Sequence, residues 1–266
     1  MGYSLDDNIR LSISNLSIAF GGLKAVDNLS FQIKDKEIFG LIGPNGAGKT
    51  TVFNCITQFY TPDQGEILFR DRDNKVVKLT DLQVHEVIGR GLVRTFQNVE
   101  IINELTVLEN VLVGAHIEYK SRFIPIALNT KKVRQEEERI KEKGIEVLQY
   151  VGIGHLIHEK AGGQPYGVRK KIELARTLMS NPKLIILDEP AAGLNEKETI
   201  ELTKTIRDIR DRYQCSILLV EHDMGLVMDV CEQICAISFG KFLAQGNAQE
   251  IQSNKAVQEA YLGSEA

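Results

Sequence analysis

Gly43-Pro44-Asn45-Gly46-Ala47-Gly48-Lys49-Thr50-Thr51 is the stretch from which the rest of this chain can be read. Two glycines with four residues between them are followed at once by Lys and Thr, the pattern of a loop that wraps phosphate groups. That pattern carries weight only between a strand and a helix. The apolar run Ile38 to Ile42 leads in and predicts a buried parallel strand. Downstream, Val52, Phe53, Ile56 and Phe59 recur at helical spacing.

The residue types suit the chemistry. A di- or triphosphate needs many donors at close range. Glycines let the backbone turn so that successive N–H groups face inward. A helix starting near Lys49 adds unpaired N–H groups and the positive end of its dipole. Lys49 brings a mobile charge to the outer phosphates, and the Thr50 hydroxyl is the expected Mg2+ ligand.

The chain has 266 residues and a net charge of −4, enough length for one large domain or a domain with an inserted subdomain. Such mild acidity gives no sign of nucleic-acid binding. Cys55, Cys215, Cys231 and Cys235 lack paired zinc spacing and read as small buried residues of a reducing compartment. The start, MGYSLDDNIR, has no apolar core and is not a signal peptide. No run approaches the roughly 18 apolar residues of a membrane-spanning helix.

Leu11 to Phe20 alternates as a strand, and Leu29 to Ile33 reads as its hairpin partner. Phe20, in the intervening Phe20-Gly21-Gly22-Leu23, could stack on a nucleobase; Tyr60 is expected on the wrong side of the phosphate-loop helix to do so. Glu66 to Phe69 and Leu92 to Gln97 predict strands, and from about Asn98 to Gly167 the pattern turns helical. Thr106 and Thr130 are expected N-caps there. Arg169 to Ser180 is a helix. Leu184 to Leu187 is an apolar strand running into Asp188-Glu189, and Ser216 to Val220 one running into Glu221-His222-Asp223. Glu196 to Tyr213, Met224 to Val230 and Ala248 to Leu262 are helices, with a strand at Ile234 to Ile237. Strands alternating with helices, with chemistry at strand ends, predict a mostly parallel sheet. Asp188 is placed to hold Mg2+ opposite Thr50, and Glu189 to polarise the water that attacks the γ-phosphate.

In order and spacing these markers resemble the nucleotide-binding subunits of ABC transporters, essentially end to end. Finer matches resemble the branched-chain amino acid importers: Arg94-Thr95-Phe96-Gln97-Asn98, Leu105 to Val111, Asp188 to Asn195, Glu221-His222-Asp223-Met224 and Tyr261-Leu262-Gly263. Similar ATPases serve importers of amides or urea. The resemblance implies that Phe20 stacks on adenine, that Gln97 senses the γ-phosphate and Mg2+, and that His222 holds the γ-phosphate and the attacking water. It also implies two ATPase subunits sandwiching two ATPs head to tail, two different subunits in this branch, with a homodimer as the other arrangement. Membrane permease subunits, a periplasmic or extracellular solute-binding protein and a peripheral position on the cytoplasmic face of the inner membrane follow in the same way.

Two departures stand out. The family's signature, Leu-Ser-Gly-Gly-Gln, falls here on Gln164-Pro165-Tyr166-Gly167-Val168. Tyr166 is common in this branch; Pro165 lacks the hydroxyl expected to meet the γ-phosphate and Val168 lacks the amide, which leaves Gly167 and the helix N-terminus as donors. Asn195 stands where many relatives carry Asp. The expected architecture is an α/β fold: a P-loop, RecA-like core with a parallel sheet and N-terminal antiparallel strands (1–97 and 164–246), an inserted helical subdomain (98–163) and a C-terminal helical extension (247–266). The site comprises Phe20, Gly43, Pro44, Asn45, Gly46, Ala47, Gly48, Lys49, Thr50, Thr51, Pro165, Tyr166 and Gly167 for ATP, Thr50, Gln97 and Asp188 for Mg2+, and Glu189, His222 and Gln97 for catalysis.

Overall fold

The computed structural model describes residues 3–95, 100–117 and 131–262. Gln97, Asn98, Thr130 and Gly263 lie outside the described residues. The chain divides into two compact units, Met1–Arg94 with Lys183–Ala266, and Thr95–Pro182.

In the first unit, β1 (Ile9–Phe20), β2 (Leu23–Lys34), β4 (Gln64–Arg70) and β5 (Val76–Lys78) form an antiparallel sheet in the order β2-β1-β4-β5. The hairpin is longer than its apolar alternation indicated. Phe20 pairs with Leu23, and Gly21 and Gly22 between them have φ of 55° and 89°. That is the two-residue turn whose twist matches the strands, and it needs φ > 0 at both positions.

The second sheet holds β3 (Ile38–Ile42), β6 (Leu92–Arg94), β7 (Leu184–Asp188), β8 (Ser216–Val220), β9 (Gln233–Ser238) and β10 (Lys241–Gly246). Its order is β10-β9-β3-β8-β7-β6, parallel except for β10. β3, β7 and β8 are buried at every position, as continuous apolar runs in a covered parallel sheet should be. The stacked rings of Phe31 and Phe39, 5.3 Å apart, join the two sheets in one core with Phe53, Ile56, Ile67 and Phe69.

The helices of this unit are α1 (Lys49–Ile56), α2 (Val84–Gly89), α6 (Glu196–Tyr213), α7 (Met224–Val230), α8 (Ala248–Ser253) and α9 (Lys255–Leu262). Two readings change. α1 stops before Phe59, which is exposed, because Gln58 turns into the left-handed region at φ 63°. The C-terminal helix is two helices: Asn254 is extended, and its side chain accepts from the Val257 amide at 3.2 Å. Short elements without strong periodicity, α2 and β10, were not legible.

The second unit packs α3 (Val107–Val113), α4 (Lys131–Tyr150) and α5 (Tyr166–Met179) together. Thr106 caps α3 as expected, in a reciprocal box with Glu109. The unit runs to Pro182, not to residue 163. The reason is α5, whose Ile172, Ala175, Leu178 and Met179 are buried and which packs on α3 and α4. β6 likewise ends at Arg94, short of the expected Gln97.

Candidate active site

The phosphate loop joins β3 to α1. Gly48 has φ 101°, and a Cβ there would lie 2.6 Å from the Ala25 carbonyl oxygen, so both conformation and space demand glycine. Val52 donates to the Gly48 carbonyl at 3.0 Å as the first bond of α1. The amides of Lys49, Thr50 and Thr51 therefore have no partner within the helix. The Lys49 ammonium folds over the loop and donates to the carbonyl oxygens of Gly43 at 2.6 Å and Pro44 at 3.2 Å. Burial pulls its pKa below the usual lysine range, while Glu189 and Asp188 act against that.

Sheet order brings the carboxylates beside this loop. β8 lies between β3 and β7, with Val220 paired to Leu41 on one side and Asp188 on the other. Asp188 accepts from Arg94 at 2.9 Å, and Arg94 also donates to Asn54 at 2.8 Å and lies 4.1 Å over the Phe53 ring. Burial pushes Asp188 above the usual carboxylate range, and the Arg94 guanidinium opposes the shift. Glu189 sits at φ 46°, with its amide donating to the Val220 carbonyl at 2.8 Å. Such left-handed geometry is uncommon for a non-glycine residue and clusters at functional sites. His222 Nδ1 is 3.8 Å from Glu189 Oε1.

Phe20 is half exposed at the end of its hairpin, which Asp63 holds by accepting from the Ala19 amide at 2.8 Å. Tyr60 is beside it, with ring centroids 5.2 Å apart at 66°. The expectation that Tyr60 lies on the wrong side is therefore corrected. The chain turns back after α1, and Asp63 pairs with the Ser17 carbonyl on the same hairpin.

In the other unit, Pro165 occupies the N-cap position of α5 and makes no side-chain cap. Arg169 donates to the Pro165 carbonyl, so the amides of Tyr166, Gly167 and Val168 form the open first turn. Tyr166 is exposed, with the Lys170 ammonium 5.1 Å from its ring centre. Asn195 caps α6, accepting from the Glu198 amide at 3.0 Å. Its amide oxygen fills the acceptor role an Asp would.

Sequence reasoning missed three groups: Arg94, Asn54 and Glu221. Arg94 and Glu221 stood inside quoted motifs, but nothing local marked what they touch.

The set fits a nucleotide. A glycine loop opens a helix, an ammonium lies on it, and hard oxygen donors from Thr50 and Asp188 suit a Mg2+ ion. Residues 26–192 match the ABC transporter family, and residues 243–266 match the family described as branched-chain amino acid ATP-binding cassette transporter. The chain belongs to the ABC transporter family, as an ATP-binding subunit of the branched-chain amino acid type. It is 41% identical to the high-affinity branched-chain amino acid transport ATP-binding protein LivG of Salmonella typhimurium, over 95% of this chain and 97% of that one. It is 40% identical, over the same shares, to BraF of Pseudomonas aeruginosa, which has the same description. Among solved structures, an ATP-binding cassette of an ABC transporter in its ADP conformation has a TM-score of 0.81 and 31% identity, covering 96% of this chain and 99% of that chain.

Proposed function

We propose that this chain binds and hydrolyses ATP at the cytoplasmic face of the inner membrane to drive import of branched-chain amino acids. One observation carries the reading: three adjacent strands, β3, β8 and β7, end in the Lys49 loop, His222 and the Asp188-Glu189 pair. Among the described residues, no helix is long and apolar enough to cross a membrane. Permease subunits would supply the path, and a periplasmic or extracellular solute-binding protein the substrate. A second ATPase subunit, a different chain or another copy, would complete each ATP site with its own signature turn. Import of an amide or urea is the second reading, because an ATPase of this kind does not touch the solute.

Each group has a separate task. The amides of Gly48 to Thr51 and the Lys49 ammonium bind and orient the phosphates. Phe20 stacks on the adenine. Thr50 and Asp188, with Gln97, would hold Mg2+, which neutralises charge on the phosphate oxygens. Glu189 accepts the proton of the attacking water. His222, beside it, steadies water and γ-phosphate. Pro165, Tyr166 and Gly167 present the α5 amides to the partner's nucleotide.

Glu189→Gln should leave ATP binding intact and lower turnover by about 10²–10⁴-fold, whereas Lys49→Ala should weaken binding itself. Wild-type turnover by Glu189→Gln in the assembled transporter would overturn the base assignment. Uptake of labelled leucine, isoleucine and valine against acetamide and urea separates the two solute readings.

A further inference from the structure

We infer that Glu221 is a positioning residue, a latch that sets the loop after β7 against His222, in an inference that rests on the hydrolytic reading above. Glu221 follows the last residue of β8 and is only 1% exposed. A carboxylate this buried is costly unless its oxygens are hydrogen-bonded. Here one oxygen accepts from the Ala191 amide at 2.7 Å. The other accepts from the amides of His222 at 3.1 Å and Asp223 at 3.4 Å.

These bonds join two loops that share no strand pairing of their own. Ala191 is two residues past Glu189, and His222 adjoins Glu221 in the chain. The latch thus fixes the backbones that carry the base and the histidine, whose side chains approach to 3.8 Å. It also helps to hold Glu189 in its left-handed conformation, together with the bonds from Glu189 to the Val220 carbonyl and from Ala192 to the Glu189 carbonyl. The span needs a charged acceptor with two oxygens. A carboxylate meets N–H donors on both sides with strong bonds, whereas an amide must turn its NH2 toward one of them.

The test uses the transporter assembled with its membrane partners. Glu221→Gln should lower kcat by about ten- to a hundredfold, the scale of one lost charged hydrogen bond, with the KM for ATP little changed and the melting temperature lowered by several degrees. Glu221→Asp keeps the charge but loses one methylene of reach, so it should also be slow. Hydrogen exchange at the amides of Ala191 to Asn195 and of His222 should rise in both variants. In a His222→Ala background Glu221→Gln should cost little more, since groups acting as a unit are not additive. Full turnover by Glu221→Gln, a fully active Glu221→Asp, unchanged exchange, or a loss that multiplies with His222→Ala would each overturn the latch. The parent and Glu189→Gln are run alongside: no ATP turnover by the assembled parent sinks the hydrolytic reading, full turnover by Glu189→Gln sinks the base assignment, and an inactive Glu189→Gln beside a fully active Glu221→Gln sinks only the latch.

Discussion

Asp188 is pulled two ways. Burial raises its folded-state pKa and Arg94 acts against the rise, with burial the larger cause. The sign of the pH dependence follows. The stability it contributes is complete below the unfolded value of about 3.9 and is lost as pH rises through the folded value. Without nucleotide, Asp188→Asn should therefore melt above the parent at neutral pH, with the gap closing toward about pH 4. Melting curves across that range check it; a variant that melts lower at neutral pH would mean that the Arg94 bond outweighs burial. Phe20 sets a second residue-scale expectation. Stacking of a base on an aromatic is worth about 1–3 kcal/mol, so Phe20→Ala should raise the ATP dissociation constant by about a decade or more, and Phe20→Tyr should be nearly silent. Tyr60 meets Phe20 edge to face, so Tyr60→Ala should weaken binding less, by freeing the Phe20 ring. Equal losses in both alanine variants, measured by titration, would place the base against Tyr60 as well.

α6 shows how an element next to the site is started. Asn195 and Glu198 cap each other's amides in a reciprocal box, and the helix buries only Thr203, Ile206 and Ile209. With so narrow a buried face, the cap is a large share of what fixes the first turn. Asn195→Ala should lower stability by about 0.5–2 kcal/mol, and Asn195→Asp should restore it; urea denaturation reads both. The cap at Thr106 was legible as a threonine just ahead of an apolar helical run, whereas the box at Asn195 was not read from the sequence. The ends of β6 and α1 were not legible either: β6 pairs with β7 only from Leu92 to Arg94, and α1 ends where Gln58 turns into the left-handed region.

Over the whole molecule, the four cysteines report on closure of the first unit. Cys55, Cys215, Cys231 and Cys235 are free and buried. Burial pushes the thiols of Cys55, Cys215 and Cys235 up to about 12, and Cys231 in the same direction. Thiolate is the reactive form, so a maleimide at neutral pH should leave the native chain unlabelled and modify all four positions after denaturation. Rapid labelling of any one in the native protein would show a local opening of this core.

The sequence alone determined whatever depends on neighbours a few residues apart. Apolar runs specified β3, β7 and β8, glycine and lysine spacing specified the phosphate loop, and helical spacing specified α6 and α7 to the residue. Only the tertiary structure decided what those elements bring together. Asp188 meets Arg94, Tyr60 meets Phe20, and Glu221 reaches Ala191. It also decided that α5 joins the second unit. The physical reason is the parallel sheet. Its crossovers place strands in the order β3-β8-β7-β6, so contacts at the strand ends are set by spatial order, which no local periodicity encodes.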